Sequence, residues 1–371
     1  MKNLYLLLFG ISISFSCFAQ HVSKTLQHGG LSRQYLEYVP SIYDGSSAVP
    51  LLICLHGLGD NMNNFKSIQM DAIADTANFI VLTPQAQSSF LGTAWNSGAG
   101  MSGMQLNENV DDAGFLIALI DSTAAIYNID PRRVYLTGFS MGAFMCHRMA
   151  CEHNDRITAI ASVSGTIGSA IQCNPLRPVP VVHFHGTADE MVAYAGNQYG
   201  MDVDALLNCW VSANACDQTP IVTELPDIAD DGLTVEHFLF GNGTSGSNVE
   251  HYKVIGGTHT WIYRPVNDID YTALIWSFLS KQSLVELSVE STEEVLLDIY
   301  PNPNSGILNF NLPEKGYQIS IYSIDGRLIF NEITQDNYFV ADISKYSKGI
   351  YIVHAKCLQT GTFSSAKISK E

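Results

Sequence analysis

Ser140 stands in the pentapeptide Gly138, Phe139, Ser140, Met141, Gly142, between an apolar run and an Ala/Met-rich one. Arg133, Val134, Tyr135, Leu136 and Thr137 suit a strand, and residues 142–151 carry few β-branched side chains and suit a helix. A serine on such a strand-to-helix turn is lifted clear of its neighbours with a helix N-terminus beneath it, the setting of a nucleophile elbow. The two glycines then have a steric task, because side chains at 138 and 142 would obstruct the segments that a sharp turn draws together. A hydroxyl is a weak nucleophile at neutral pH. The chemistry therefore requires a base, an acid to orient that base, and donors for an oxyanion.

Each of these has a candidate. Val181 to Phe184 reads as a buried strand running into His185, Gly186, Thr187, Ala188, Asp189, where a turn presents the Asp189 carboxylate; Glu190 is the alternative acid. His251 to Ile255 reads as a later strand, followed by Gly256, Gly257, Thr258, His259, Thr260, Trp261. His259 is the candidate base, since none of the other histidines follows a late strand so closely. Leu51 to Leu55 is an apolar strand entering His56, Gly57, Leu58, Gly59, Asp60, and the amides of Leu58 and Met141 are the expected oxyanion donors. The chain order Ser, Asp, His is that of α/β-hydrolases and differs from the orders of chymotrypsin and subtilisin.

Other polar residues admit quieter readings. His183 and His185 share one strand face at a spacing that metal sites use, but no nearby acidic or cysteine partner completes a site, and hydrogen-bonded histidines in a buried strand explain the pair. Asp111 and Asp112 precede the apolar helical run from Gly114 and read as caps complementing its dipole. Trp95, in a Gly/Ser-rich loop, is read either as a wall of the substrate cleft or as packing, and Trp261 is the second candidate for substrate contact.

The set His56–Gly57, Gly138–Gly142, His185–Asp189 and Gly256–Trp261 resembles the secreted esterases that include feruloyl esterases, poly(3-hydroxybutyrate) depolymerases and LpqC-like proteins, over residues 25–282. The resemblance implies an α/β-hydrolase fold and hydrolysis of carboxylic esters, with Ser140 as nucleophile, Asp189 as acid and His259 as base. No metal or organic cofactor is implied. Relatives often carry a proline near the tyrosine of the acid loop, where this chain reads Met191, Val192, Ala193, Tyr194, and Ile262, Tyr263, Arg264 replace a Pro-Gly turn. Those departures bear on the substrate and leave the three residues intact. Feruloyl or acetyl esters of plant polysaccharide are the first expectation and polyhydroxybutyrate the second; a serine peptidase and a non-catalytic polysaccharide-binding protein are the rivals.

Length and composition fit. The 371 residues exceed one ordinary domain, and 46% hydrophobic residues supply a sizeable core. A net charge of -17 and a pI near 4.9 argue against nucleic acid or anionic membranes as partners. Residues 1–19 read as an export signal: Lys2, an apolar run from Leu4 to Phe15 too short for a permanent span, and Cys17, Phe18, Ala19 before the expected cleavage. Acylation at Cys17 is the alternative. Export permits disulfides, and the seven remaining cysteines, Cys54, Cys146, Cys151, Cys173, Cys209, Cys216 and Cys357, leave at least one unpaired. Cys209 with Cys216 is the first expected pair, Cys151 with Cys173 the second, and Cys54 the expected buried thiol.

The body alternates strands and helices. Strands are expected at 34–39, 49–55, 79–83, 157–163, 179–184, 233–240 and 249–255, and helices at 61–76, 114–127 and 271–279, which predicts an α/β domain over 20–282 with a mostly parallel sheet covered on both faces. Between Met191 and Asp231 the pattern loosens, as for an insertion or lid. Residues 283–296 read as a linker. From 297 to 371 the alternating Tyr317–Tyr322 and Gly349–Val353 runs, the Asp325–Gly326 turn and a basic tail with Lys367 and Lys370 read as a small all-β sandwich. This segment resembles the C-terminal sorting domains of the type IX secretion system of Bacteroidota, which implies the secretion machinery as a partner and a secreted or cell-surface destination; a carbohydrate-binding or adhesive module is the alternative.

Overall fold

The computed structural model describes residues 20–101, 104–284, 297–313, 315–324, 327–358 and 363–371. The expected export signal, most of the expected linker and the Asp325–Gly326 turn lie outside them. The chain divides into two compact units, Met1–Val285 and Glu286–Glu371.

The first unit begins with an antiparallel pair, β1 (His21–His28) and β2 (Leu31–Tyr38), then β3 (Val49–Leu55). Short helix α1 (Met62–Phe65), a 3₁₀ turn and α2 (Met70–Ala77) lead to β4 (Ile80–Pro84), the hairpin β5 (Gln87–Ser89) and β6 (Gly92–Ala94), and the short pair β7 (Gly100–Met101) and β8 (Met104–Gln105). Next come α3 (Asp112–Ala124), β9 (Ile129–Phe139), α4 (Met141–Glu152), β10 (Ala159–Val163), β11 (Val181–Gly186) and α5 (Val203–Ala213). The edge strands β12 (Ile221–Glu224) and β13 (Thr234–Phe240), then β14 (Val249–Ile255) and α6 (Tyr271–Leu279), complete it. The sheet order is β1-β2-β4-β3-β9-β10-β11-β14-β13-β12. Pairing is parallel from β4 across to β14 and antiparallel in the flanks.

Alternation along the central strands sorts side chains onto two faces. Leu51, Ile53 and Leu55 of β3 join Val134 and Leu136 of β9 beneath α3, α4 and α5. Leu52 and Cys54 join Tyr135, Phe184 and the apolar face of α6 on the other side. Every residue of β3 is buried, as expected where both faces of a parallel strand are covered. The mostly parallel α/β sheet inferred from the sequence is thus the observed one, with acidic caps starting three helices: Asp111 accepts from the Gly114 amide, Asp202 from Ala205 and Asp270 from Ala273.

Three local expectations need correction. The helix over 61–76 is broken at Gln69, which has φ 60°. The Ile68 carbonyl there accepts the Thr272 hydroxyl of α6 at 2.7 Å, so a tertiary contact overrides the helical pattern. The 191–231 stretch is not a lid throughout: α5 buries Val203, Leu206, Leu207, Trp210 and Val211, and β12 extends the sheet edge. Asp112 does not cap α3. It is buried, pairing with Arg33 at 2.6 Å and accepting the Asn96 amide at 2.6 Å.

The expected Cys209–Cys216 bridge is also absent; the disulfide is Cys151–Cys173, tying the end of α4 to the loop before β11. Cys209 lies within α5, whereas Cys216 follows the helix and donates its thiol to the Ser247 carbonyl at 3.3 Å. Cys54 is a buried thiol, its pKa pushed up by burial.

The second unit comprises β15 (Asp298–Tyr300), β16 (Ile307–Asn311), β17 (Tyr317–Ser323), β18 (Leu328–Thr334), β19 (Tyr338–Asp342), β20 (Gly349–Cys357) and β21 (Phe363–Lys370). Two antiparallel sheets, β15-β16-β19 and β18-β17-β20-β21, enclose Leu308, Phe310, Ile319, Ile321 and Val353. The expected basic tail is instead strand β21. Lys370 is buried, and its ammonium donates to the carbonyls of Ile343 (3.1 Å), Ser344 (2.7 Å) and Tyr346.

Candidate active site

Parallel pairing sets the C-terminal ends of β3, β9, β11 and β14 along one edge of the sheet, and the expected site residues leave from those ends. Ser140 joins β9 to α4 with φ 54° and ψ -122°, a conformation disfavoured for any residue with a Cβ. Its surroundings enforce it. The Ser140 amide donates to the Val163 carbonyl at 2.9 Å, and its carbonyl accepts from the amides of Ala143 and Phe144. A Cβ at Gly138 would lie 2.4 Å from the Gly142 backbone, and one at Gly142 only 2.0 Å from the Leu55 carbonyl oxygen. The turn therefore requires glycine at both positions.

Ser140 opens into a cavity of about 300 Å³ shared with His259, Leu58 and Met141. Phe139, Phe144, Leu91, Leu106, Val192 and Tyr199 make its walls mainly apolar. The His259 ring packs 4.7 Å from that of Phe139, and its Nδ1 donates to Asp189 Oδ2 at 2.8 Å. Asp189 is buried, and its Oδ1 accepts the amides of Met191 (3.0 Å) and Val192 (2.8 Å). Burial alone would raise the pKa of this carboxyl; the hydrogen bond and charge of His259, with the Val192 amide, outweigh it and hold the pKa below the usual carboxylate value. Glu190 is exposed.

Met141 is the first residue of α4, where backbone amides have no intrahelical acceptor, and Leu58 follows the His56–Gly57 turn at the end of β3. That turn is held from within. His56 Nδ1 donates to the Gly57 carbonyl at 2.8 Å, and its Nε2 accepts the Ala86 amide at 3.1 Å.

Neither tryptophan read as a substrate contact lines this cavity. Trp95 is fully buried and donates its indole N–H to the His56 carbonyl at 2.9 Å, bracing the loop that carries Leu58. Trp261 packs edge-on against Phe65 and Tyr271, donates to the Thr272 hydroxyl at 3.1 Å, and lines a separate hollow with Arg264 and Asp270. The walls that sequence reasoning missed are Leu91, Leu106, Phe144 and Tyr199. Phe139 carried a signal through its place beside Ser140, and Met191 and Val192 through theirs in the acid loop.

Residues 40–215 match the phospholipase/carboxylesterase family and residues 298–369 the secretion system C-terminal sorting domain. A bifunctional acetylxylan esterase/xylanase of Neocallimastix patriciarum is 29% identical, over 68% of this chain and 34% of its own length. Feruloyl esterase B of Piromyces equi is 31% identical, over 44% of this chain and 30% of its own length, so the chain spans about a third of each. Poly(3-hydroxyalkanoate) depolymerase C of Paucimonas lemoignei is 25% identical, over 61% of this chain and 58% of its own length. The structure of an acetyl xylan esterase from Aspergillus awamori shares the fold with a TM-score of 0.51 at 14% identity, covering 70% of this chain and 99% of that one. The sorting domain marks the protein for the cell surface or the extracellular space, and no helix among the described residues is long and apolar enough to cross a membrane. The first unit thus has the α/β-hydrolase fold and is similar to feruloyl esterases and poly(3-hydroxyalkanoate) depolymerases, and residues 298–369 match a secretion sorting domain.

Proposed function

We propose that the protein is a serine carboxylic-ester hydrolase working through an acyl-enzyme on acetyl or feruloyl esters of plant polysaccharide. The observation that carries this reading is the shared cavity of Ser140 and His259, with Asp189 buried behind the imidazole and bonded to it at 2.8 Å. Because Nδ1 is committed to Asp189, Nε2 is the nitrogen left to take the Ser140 proton as Oγ attacks the ester carbonyl. The Leu58 and Met141 amides receive the developing oxyanion, the alcohol leaves with the proton from His259, and water resolves the acyl-enzyme with His259 again as base. The buried, anionic Asp189 stabilises the imidazolium formed in each half-reaction.

The substrate class is supported by the acetylxylan and feruloyl esterases among the relatives and by apolar walls suited to an acyl group. Residues 297–371 are proposed to bind the secretion machinery and to take no part in the chemistry. Comparison of kcat/KM on methyl ferulate, acetylated xylan, a polyhydroxybutyrate suspension and a peptide anilide tests the assignment. Turnover of either of the first two above the others is expected; preference for the polyester or the peptide would overturn it.

A further inference from the structure

Ser162, His183 and His251 form one row across the parallel strands β10, β11 and β14, on the face covered by α4 and α5. His185 stands two residues beyond His183 on the same face, and all three histidines are buried. Acyl transfer as derived above uses none of them.

Their hydrogen bonds fix their tautomers. His185 Nε2 lies 2.7 Å from the Val192 carbonyl, which can only accept, so Nε2 bears the proton. Burial lowers the pKa of His185 and keeps the ring neutral, leaving Nδ1 as acceptor. His183 Nε2, 3.0 Å away, must then donate to it, and His183 Nδ1 accepts from the Ser162 hydroxyl at 2.8 Å. The chain of donors runs one way, from Ser162 through both rings to Val192. His251 donates from Nδ1 to the His183 carbonyl at 3.0 Å and accepts the Tyr194 hydroxyl at 2.9 Å, closing the other side of the row.

This chain ends beside the acid. His185 Nε2 lies 3.5 Å from Asp189 Oδ2, the oxygen that holds His259, and Val192, whose carbonyl it grips, donates its own amide to Asp189 Oδ1. We propose that His185, oriented by His183 and Ser162, is a positioning residue that fixes the Asp189 carboxylate against His259 and holds the Val192 wall of the cavity. The assignment rests on the reading of Asp189 as the acid of the triad. A neutral donor suits the task because a cation in that place would compete with the imidazolium that Asp189 has to stabilise.

Two substitutions separate positioning from packing. His185→Phe keeps a ring of similar bulk but no donor, whereas His185→Gln restores an N–H near the Nε2 position. On p-nitrophenyl acetate, His185→Phe is expected to lower kcat roughly 10–100-fold with KM within about two-fold, and His185→Gln to recover most of the loss. Equal activity of His185→Phe and the unmodified protein, or equal loss in both variants at unchanged folded fraction, would overturn the proposal. Should His185→Phe not fold, nitrogen NMR of the full chain with ¹⁵N-labelled histidine reads the same arrangement directly. Protonated Nε2 at 183 and 185 and protonated Nδ1 at 251 are expected, and a His185 protonated at Nδ1 or at both nitrogens at pH 7 refutes it. An unmodified protein inert on every ester would count against the esterase reading alone, since the tautomers are read without turnover.

Discussion

At the scale of single residues, the stability of the first unit depends on buried groups whose charge state is set by desolvation. His147 and His251 are fully enclosed, and burial lowers each pKa to about 3. An unfolded chain would bind a proton on each below about pH 6.5 while the folded chain would not, so their contribution to stability is complete above that pH and is lost as pH falls toward 3. All four tryptophans, Trp95, Trp210, Trp261 and Trp276, lie in the first unit, and their fluorescence therefore reports its unfolding alone. Urea unfolding followed in this way is expected to lose about 2 kcal/mol per histidine between pH 7.5 and pH 5. Stability unchanged over that interval would show that these rings are protonated in the folded state or are reached by water. Residue-level reading of the sequence located the serine turn because its glycine requirement is local: Gly138 and Gly142 are dictated by contacts within a few residues and with β3. The placement of Trp95 was not legible. A tryptophan in a Gly/Ser-rich loop has the same sequence signature whether it faces solvent or braces a neighbouring loop, and only the tertiary contact with His56 distinguishes the two.

At the scale of elements, the apolar run of β3 was readable because a central parallel strand is buried on both faces and shows it as unbroken hydrophobicity. Edge elements left no such trace. β1 mixes half-buried and exposed positions, and every residue of β12 is exposed. The break at Gln69 was equally hidden, since it depends on a hydroxyl 204 residues away. Cysteine spacing misled for a related reason: Cys209 and Cys216 are near in sequence but belong to a helix and to the turn beyond it, whereas Cys151 and Cys173, 22 residues apart, come within 4.8 Å between Cα atoms. A bridge closing a loop of that size contributes about 3 kcal/mol by restricting the unfolded chain. Cys173→Ser is accordingly expected to lower the urea midpoint of the first unit by that equivalent, read by tryptophan fluorescence, and reducing agent to do the same to the unmodified protein while leaving Cys173→Ser unaffected. No change in either would mean that the bridge is not formed in solution.

At the scale of the whole molecule, two units divide the labour. The first sets Ser140, His259 and Asp189 at the C-terminal edge of its sheet, where each loop can vary without disturbing the core that holds it. The second is an antiparallel sandwich whose last strand is pinned by the Lys370 ammonium on three carbonyls, and its sequence matches a sorting domain. Domain-level composition announced this change of character, as the alternating β pattern replaces the strand–helix alternation. Substrate preference did not show itself, because the cavity walls come from Leu91, Leu106, Phe144 and Tyr199, scattered over four separate segments. The central claim is that Ser140 forms the acyl-enzyme. Its most direct test is rapid mixing of the full chain with p-nitrophenyl acetate, followed by intact-mass analysis, beside Ser140→Ala. A burst of p-nitrophenol equal to the enzyme concentration, an acetyl adduct localised to Ser140, and loss of both in a folded Ser140→Ala variant are predicted; turnover that persists in Ser140→Ala, or an adduct on another residue, would contradict the account.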